Sequence, residues 1–260
     1  MDKSSIGGVL LAVAGILAGL LMEGGNLGQI LQPTAALIVL GGTMGAVLLQ
    51  FPLNIVIAAF RNLGHVFGAP RKQNDDLIAL LLSFANKARR NGVVSLDADL
   101  KTLHDPFLRR ALMLAVDGTE PSELRKIMQV SLDSTMEREE QLSMVFESAG
   151  GFSPTIGILG AVLGLIQVMH HLDNMQEVGR GIAVAFVATI YGVGVANLFF
   201  LPFAGKMRIR IRDGQRYREM MLEGVISIIE GMNPRMLEVK LAGFLHGSTN
   251  EKPDAREFAA

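Results

Sequence analysis

The sequence predicts an all-α membrane protein with four spans, a helical cytoplasmic insert between spans two and three, and a C-terminal cytoplasmic helix. Three observations predict it. Residues 4–22, 24–60, 148–172 and 181–205 contain no Asp, Glu, Lys or Arg, while nearly all charge lies in 61–147 and after 205. About 20 apolar residues suffice for a helix to cross a hydrocarbon core of about 30 Å. In the polar regions, apolar residues recur every three or four positions and never alternate with period two, so helices are expected and strands are not.

Span one covers about Ile6–Met22, with Gly7, Gly8, Gly15 and Gly19 spaced for close helix contact. Only one basic residue precedes it and no small-x-small cleavage pattern follows it, which favours a retained span over a cleaved signal peptide. A short turn, Glu23–Gln32, leads to span two, which opens at Pro33, a good first helical residue, and runs to about Gln50. Pro52 and Asn54 break it. Residues 55–67 then carry Ile55, Val56, Ala59, Phe60, Leu63, Val66 and Phe67 at helical spacing; Arg61 and His65 interrupt them, so an amphipathic surface helix is expected.

The polar insert reads as a series of helices. Asn74 is a candidate cap for a helix with Leu77, Leu80, Leu81, Phe84 and Ala88 on one face, ended by Gly92. Ser95 is a candidate cap for a short helix. Pro106 opens another, with Leu108, Leu112 and Ala115 inward and Gly118 at its end. Pro121 starts a long helix that runs to about Ser148 and straight on towards span three, about Gly151–Met169. His170–Gly179 is a polar link, span four covers about Gly181–Pro202, and a basic helix continues to about Gly231. The tail 247–260 has no apolar period and reads as disordered. The resulting division is 1–53 for spans one and two and 54–147 for the amphipathic helix and cytoplasmic domain. Residues 148–204 hold spans three and four, and 205–260 the basic helix and flexible tail.

Charge sets the orientation. Residues 61–147 hold 12 Lys and Arg and the segment after 205 holds 10, against one, Arg180, in the two short turns between spans. Cytoplasmic loops carry the excess of basic residues, so both termini and the insert are expected on the cytoplasmic side. The net charge of −1 gives no reason to expect a nucleic-acid partner, and the absence of cysteine excludes disulfides and thiolate metal sites.

No phosphate loop, dinucleotide fingerprint, nucleophile elbow or His-Glu-x-x-His occurs, so no enzymatic activity and no cofactor are expected. Asp97 and Asp99 read as a solvated helix face. His170 and His171 are neighbours pointing about 100° apart on a helix, poorly placed to share a metal. An intramembrane carboxylate is the usual mark of an ion path, and these spans have none. Thr155 and Thr189 lie among the small residues of spans three and four. Each hydroxyl either bonds back to its own helix or lines a narrow hydrated path whose charge comes from another chain.

Gly150–Gly164 carries five glycines, with Gly157/Ala161 and Gly160/Gly164 in small-xxx-small pairs. Phe152-Ser-Pro-Thr-Ile-Gly-Ile-Leu-Gly-Ala-Val-Leu-Gly-Leu-Ile166 and Gly181-Ile-Ala-Val-Ala-Phe-Val-Ala-Thr-Ile-Tyr-Gly192 closely resemble spans three and four of the flagellar motor stator A-subunit, the MotA/PomA type of the MotA/TolQ/ExbB superfamily. The resemblance extends over nearly the whole chain. It implies a homopentamer in the bacterial inner membrane around two copies of a B-subunit (MotB/PomB type). That subunit's single span supplies the ion-binding aspartate, while spans three and four line the pore. Ion flow would turn the ring and drive the flagellar rotor switch protein. The related ExbB/TolQ energisers of outer-membrane processes are the alternative, but they have three spans.

Residue by residue, the resemblance makes Pro154 and Pro202 hinge prolines, each freeing a carbonyl at a helix end. It makes Thr189 the threonine facing the partner's aspartate. The sodium-driven branch has a threonine where this chain has Ala161, and the missing hydroxyl points to a proton. Arg89-Arg-Asn-Gly-Val-Val-Ser-Leu-Asp97 is similar to the family's Arg-x-x-Gly-x-x-Ser-Leu-Glu, which makes Arg89 and Asp97 rotor contacts with Arg90 alongside.

Overall fold

The computed structural model describes residues 3–66 and 74–246, and every regular element among them is helical. The Asn74 side chain, Phe67 and the tail 247–260, for which expectations were stated, lie outside the described parts. The chain forms two compact units: residues 1–70 with 138–210, and residues 71–137 with 211–260.

The first unit holds the apolar helices. Helix α1 covers Lys3–Met22, and α2 covers Pro33–Gln50 with a π turn at Leu37–Gly41. The turn between them contains a short 3₁₀ segment, Leu27–Gln29. Its capping box is formed by Asn26, whose side chain accepts from the Gly28 amide, and Gln29. Helix α3 is Leu53–Val66. Its inner residues Val56 and Ala59 pack with Val145, Phe146 and Met207, and Phe60 meets Phe146 edge to face with centroids 5.1 Å apart.

Three described stretches are long and apolar enough to cross a membrane: Pro33–Gln50 and one window in each of Pro121–His170 and Met175–Ile229. Gly7–Met22 and Leu53–Gly64 are shorter apolar helices.

In the second unit, α4 (Asn74–Asn91), a 3₁₀ turn (Val93–Leu96), α5 (Asp97–Leu100) and α6 (Pro106–Val116) surround one core. Leu77, Leu81, Phe84 and Ala88 of α4 are buried in it, as are Leu108, Ala111, Leu112 and Ala115 of α6. The expected stops hold for a local reason: Gly92 and Gly118 have φ of +79° and +82°, a conformation that costs glycine little. Ser95 does not act as the expected cap. Its hydroxyl donates to the Gly92 carbonyl at 2.7 Å, because the chain forms a 3₁₀ turn there and the helix starts two residues later. Asp105 caps α6 instead, accepting from the amides of Phe107 and Leu108.

Helix α7, Pro121–His170, is continuous for 50 residues, as expected from the absence of a stop between the insert and span three. Helix α8 runs from Met175 to Ile229 with a π turn at Ala196–Phe200. It starts earlier than its apolar stretch because Asn174, within the expected link, caps it by accepting from the Gln176 amide. A further helix, α9 (Pro234–His246), follows Gly231 and buries Leu237 and Leu241.

One ionic hub ties the second unit together. Glu223 of α8 pairs with Arg125 of α7 and, at 2.8 Å, with Lys240 of α9, whose ammonium also donates to the Ser227 hydroxyl at 3.0 Å. The Arg125 hydrogen bond, reinforced by Lys240 against the opposing effect of burial, holds the Glu223 carboxyl below the usual range. A depressed folded-state pKa stabilises the fold at pH values above the unfolded value of about 4.3. That contribution is lost as pH falls through the folded value. Glu223→Gln is therefore expected to lower stability at neutral pH and to flatten its fall below about pH 4.3, as measured by thermal melting of the purified protein across pH.

Candidate functional site

Four of the five glycines of Gly150–Gly164 have a partner within their own chain; a Cβ on Gly151 would meet nothing within 4 Å. A Cβ on Gly192 would lie 2.7 Å from the Ser153 carbonyl oxygen and 2.9 Å from the Gly157 Cα. One on Gly157 would lie 2.9 Å from the Ala188 carbonyl, and one on Gly164 would lie 2.8 Å from the Gly181 carbonyl. Each step along α7 is matched by a step back along α8, so the two helices run antiparallel with backbones in direct contact. Helix α2 joins them: a Cβ on Gly42 would lie 2.8 Å from Ile156, and one on Gly160 would lie 3.2 Å from Ile38. The resemblance makes spans three and four the pore wall, but their small-residue faces do not face outward to form it. Those faces are closed by intrachain packing, which the sequence left open because spacing shows a close approach and not which helix makes it.

The faces left outward are apolar. On α7 they carry Thr155, Ile158, Leu159, Val162 and Ile166, at helical spacing, all exposed. On α8, Ile182, Phe186, Ile190 and Val193 are exposed. Thr155 thus sits on the open face of α7 and not among the packed glycines. Ala161 and Thr189 are half-buried. Both threonine hydroxyls bond back to their own helices: Thr155 donates to Phe152 at 2.8 Å and Thr189 to Ala185 at 3.2 Å.

The two prolines, expected at helix ends, lie inside continuous helices. Pro154 is enclosed by α7, where it cannot donate to the Gly150 carbonyl. Pro202 follows directly on the π turn Ala196–Phe200, so the helix widens before it and runs on. The exposed Pro202 borders a cavity of about 280 Å³ with Gly8, Ala12, Asn197 and Lys206.

Two further features of this unit involve its polar side chains. The Tyr191 hydroxyl donates to the Ile30 carbonyl at 2.6 Å and accepts from the Gln32 amide at 3.3 Å, fixing the turn that leads into α2. Thr43 and Ser153, at 1% and 0% exposure, are buried with no hydrogen-bond partner for either hydroxyl. No grouping of His, Cys, Asp and Glu suited to a metal occurs among the described residues.

The second unit carries the charged candidates. Arg89 and Arg90 occupy the last turn of α4, where cations complement the helix dipole. Asp97 opens α5. All three are exposed, and no ion pair among the described residues engages them. The two neighbouring carboxylates, alike in sequence, differ in structure: Asp99 pairs with Lys87 at 2.6 Å, while Asp97 faces outward. Lys87 is two residues before Arg89 and Asp99 two after Asp97, so this bond fixes the spacing of the outward charges. It was not legible in sequence because it joins residues on separate elements.

The chain is similar to known proteins along nearly its whole length. A profile of the MotA/TolQ/ExbB proton channel family matches residues 99–220, and one described as motility protein A N-terminal matches residues 6–92. The motility protein A of Bacillus subtilis (strain 168) is 34% identical over 250 residues, covering 94% of this chain and 91% of the relative.

The chain belongs to the motility protein A family.

Its fold matches family structures over almost the whole length. The C. jejuni MotAB structure aligns with a TM-score of 0.89 at 33% identity, covering 97% of this chain and 98% of the other. The flagellar MotAB stator complex from Bacillus subtilis aligns at 0.86 and 34%, covering 95% and 97%. As a motility protein A family member with apolar helices of spanning length, the chain is an inner-membrane protein and a flagellar stator A-subunit.

Proposed function

We propose that this chain forms the moving ring of a proton-driven flagellar torque generator. Five copies surround two copies of a MotB/PomB-type subunit in four-span topology, with both termini and the insert cytoplasmic. The observation that carries this reading is the absence of any carboxylate from the apolar stretches of a chain that matches MotAB structures along its length. The partner supplies the ion-binding aspartate. The outward faces of α7 and α8 provide an apolar wall along which it moves, with Thr155, Ala161 and Thr189 beside its path. Pro154 and Pro202, each lacking a backbone donor, let the helices bend as the aspartate is protonated and released. The match of the motility protein A N-terminal profile to residues 6–92 favours a stator over an ExbB/TolQ-type energiser.

Arg89, Arg90 and Asp97 carry torque to the rotor switch protein. Exposed charges steer and orient a partner more than they hold it, and salt screens them. Charge reversal by Arg89→Glu or Asp97→Arg is expected to cut swimming speed severely while the complex is recovered from membranes at normal levels. Normal swimming of both single variants and of the double variant would remove the rotor assignment.

A further inference from the structure

Several charged side chains of the second unit are paired: Lys87 with Asp99, Arg125 and Lys240 with Glu223, Lys126 with Glu123. Beside Arg89 and Arg90, a second set is not. Asp97, Lys101, Arg109 and Arg110 border a groove of about 580 Å³ floored by Leu100 and Met113. All four charged residues are exposed and form no ion pair among the described residues. Met113 is 46% exposed, an apolar side chain left open between cations.

The groove has firm walls. Helix α6 is started by Pro106 and capped by Asp105, and its opposite face is buried in the core. The Lys87–Asp99 pair anchors α5. Arg109 and Met113 are one turn apart on α6, so cation and apolar floor share a face.

Three cations and one carboxylate leave the groove strongly positive, yet Asp97 at its edge opposes a uniform polyanion such as a phosphate chain or an anionic bilayer. An apolar floor asks for an apolar side chain. We propose that this groove seats an acidic segment of a protein partner. The segment's carboxylates lie on Lys101, Arg109 and Arg110, an apolar side chain rests on Leu100 and Met113, and a basic residue meets Asp97. The proposal deepens the rotor reading, with which it shares Asp97, and it adds three cations on a second helix to the contact surface. Arginine suits this role because its planar fork engages carboxylates in pairs.

The test uses the purified complex of the full chain with its B-subunit. The probe is a labelled helical peptide rich in Glu and Leu with a single Arg, beside a control peptide with Lys in place of Glu. The acidic peptide should bind and the control should not. Arg109→Glu combined with Arg110→Glu should weaken binding about tenfold or more, and Arg109→Gln with Arg110→Gln should do so less, with complex recovery unchanged in both. Equal binding of the control peptide, unchanged binding to the variants, or displacement of the peptide by phosphatidylglycerol vesicles overturns the proposal. A cross-link from a cysteine placed at Met113 to a second copy of this chain, in place of the peptide, also overturns it. The rotor reading fails separately. If Arg89→Glu and Asp97→Arg leave swimming intact while peptide binding depends on Arg109 and Arg110, the groove stands without the rotor. If those reversals stop swimming and peptide binding ignores Arg109 and Arg110, the rotor stands without the groove.

Discussion

Gly192→Ala is expected to strip most of the folded protein from the membrane, whereas Gly194→Ala, two residues along the same helix, leaves it intact. The added methyl at Gly192 meets the Ser153 carbonyl oxygen at 2.7 Å and the Gly157 Cα at 2.9 Å, both backbone atoms that no rotamer change can move. Relief requires α7 and α8 to separate along a seam that also includes Gly157, Gly164 and Gly181. Overpacking of this kind costs about 1–3 kcal/mol, a large share of a total stability of about 5–15 kcal/mol. Nothing lies within 4 Å of a Cβ on Gly194, and alanine there gains about 0.5–1 kcal/mol of helix preference. Quantifying each variant in membrane extracts, followed by melting of the purified protein, gives the comparison. Equal recovery of the two variants would contradict backbone contact at the seam.

The second large effect concerns the ion. Motility is expected to stop when a protonophore is added and to continue when sodium is replaced by potassium. A sodium ion needs oxygen ligands to replace its hydration shell. On the proposed path, Ala161 supplies none at the position where the sodium-driven branch has a threonine. A proton needs only a carboxylate able to take it up and release it, and this chain's apolar stretches have none to offer. Loss of swimming in potassium medium with the proton gradient intact would reverse the assignment.

Much of the fold was legible because local chemistry decides it. Gly92 and Gly118 stop helices by adopting positive φ, and Pro106 and Pro121 start them. Where the sequence misled, a competing local bond prevailed. Asn174 caps α8 inside what reads as a link, and Ser95 turns its hydroxyl back to Gly92. Helix α9, which buries Leu237 and Leu241, was missed because it is short and Arg235, Glu238 and Lys240 interrupt its apolar residues.

The close contact of span three was legible, but the helix that makes it was not. Glycine spacing announced a close helix contact, and three dimensions were needed to show that α7 meets α8 of the same chain. Asp97 and Asp99 look alike until Lys87, on another helix, neutralises one of them.

In the proposed function, this chain forms the wall of an ion path whose charge comes from its partner. Proton flux into cells, followed by intracellular pH under an imposed gradient, tests it directly. The comparison is this chain alone, with its B-subunit in an activated form, and with that subunit's intramembrane aspartate changed to asparagine. Flux only in the second case is the predicted result; flux through this chain alone, or undiminished flux with the asparagine variant, would contradict it.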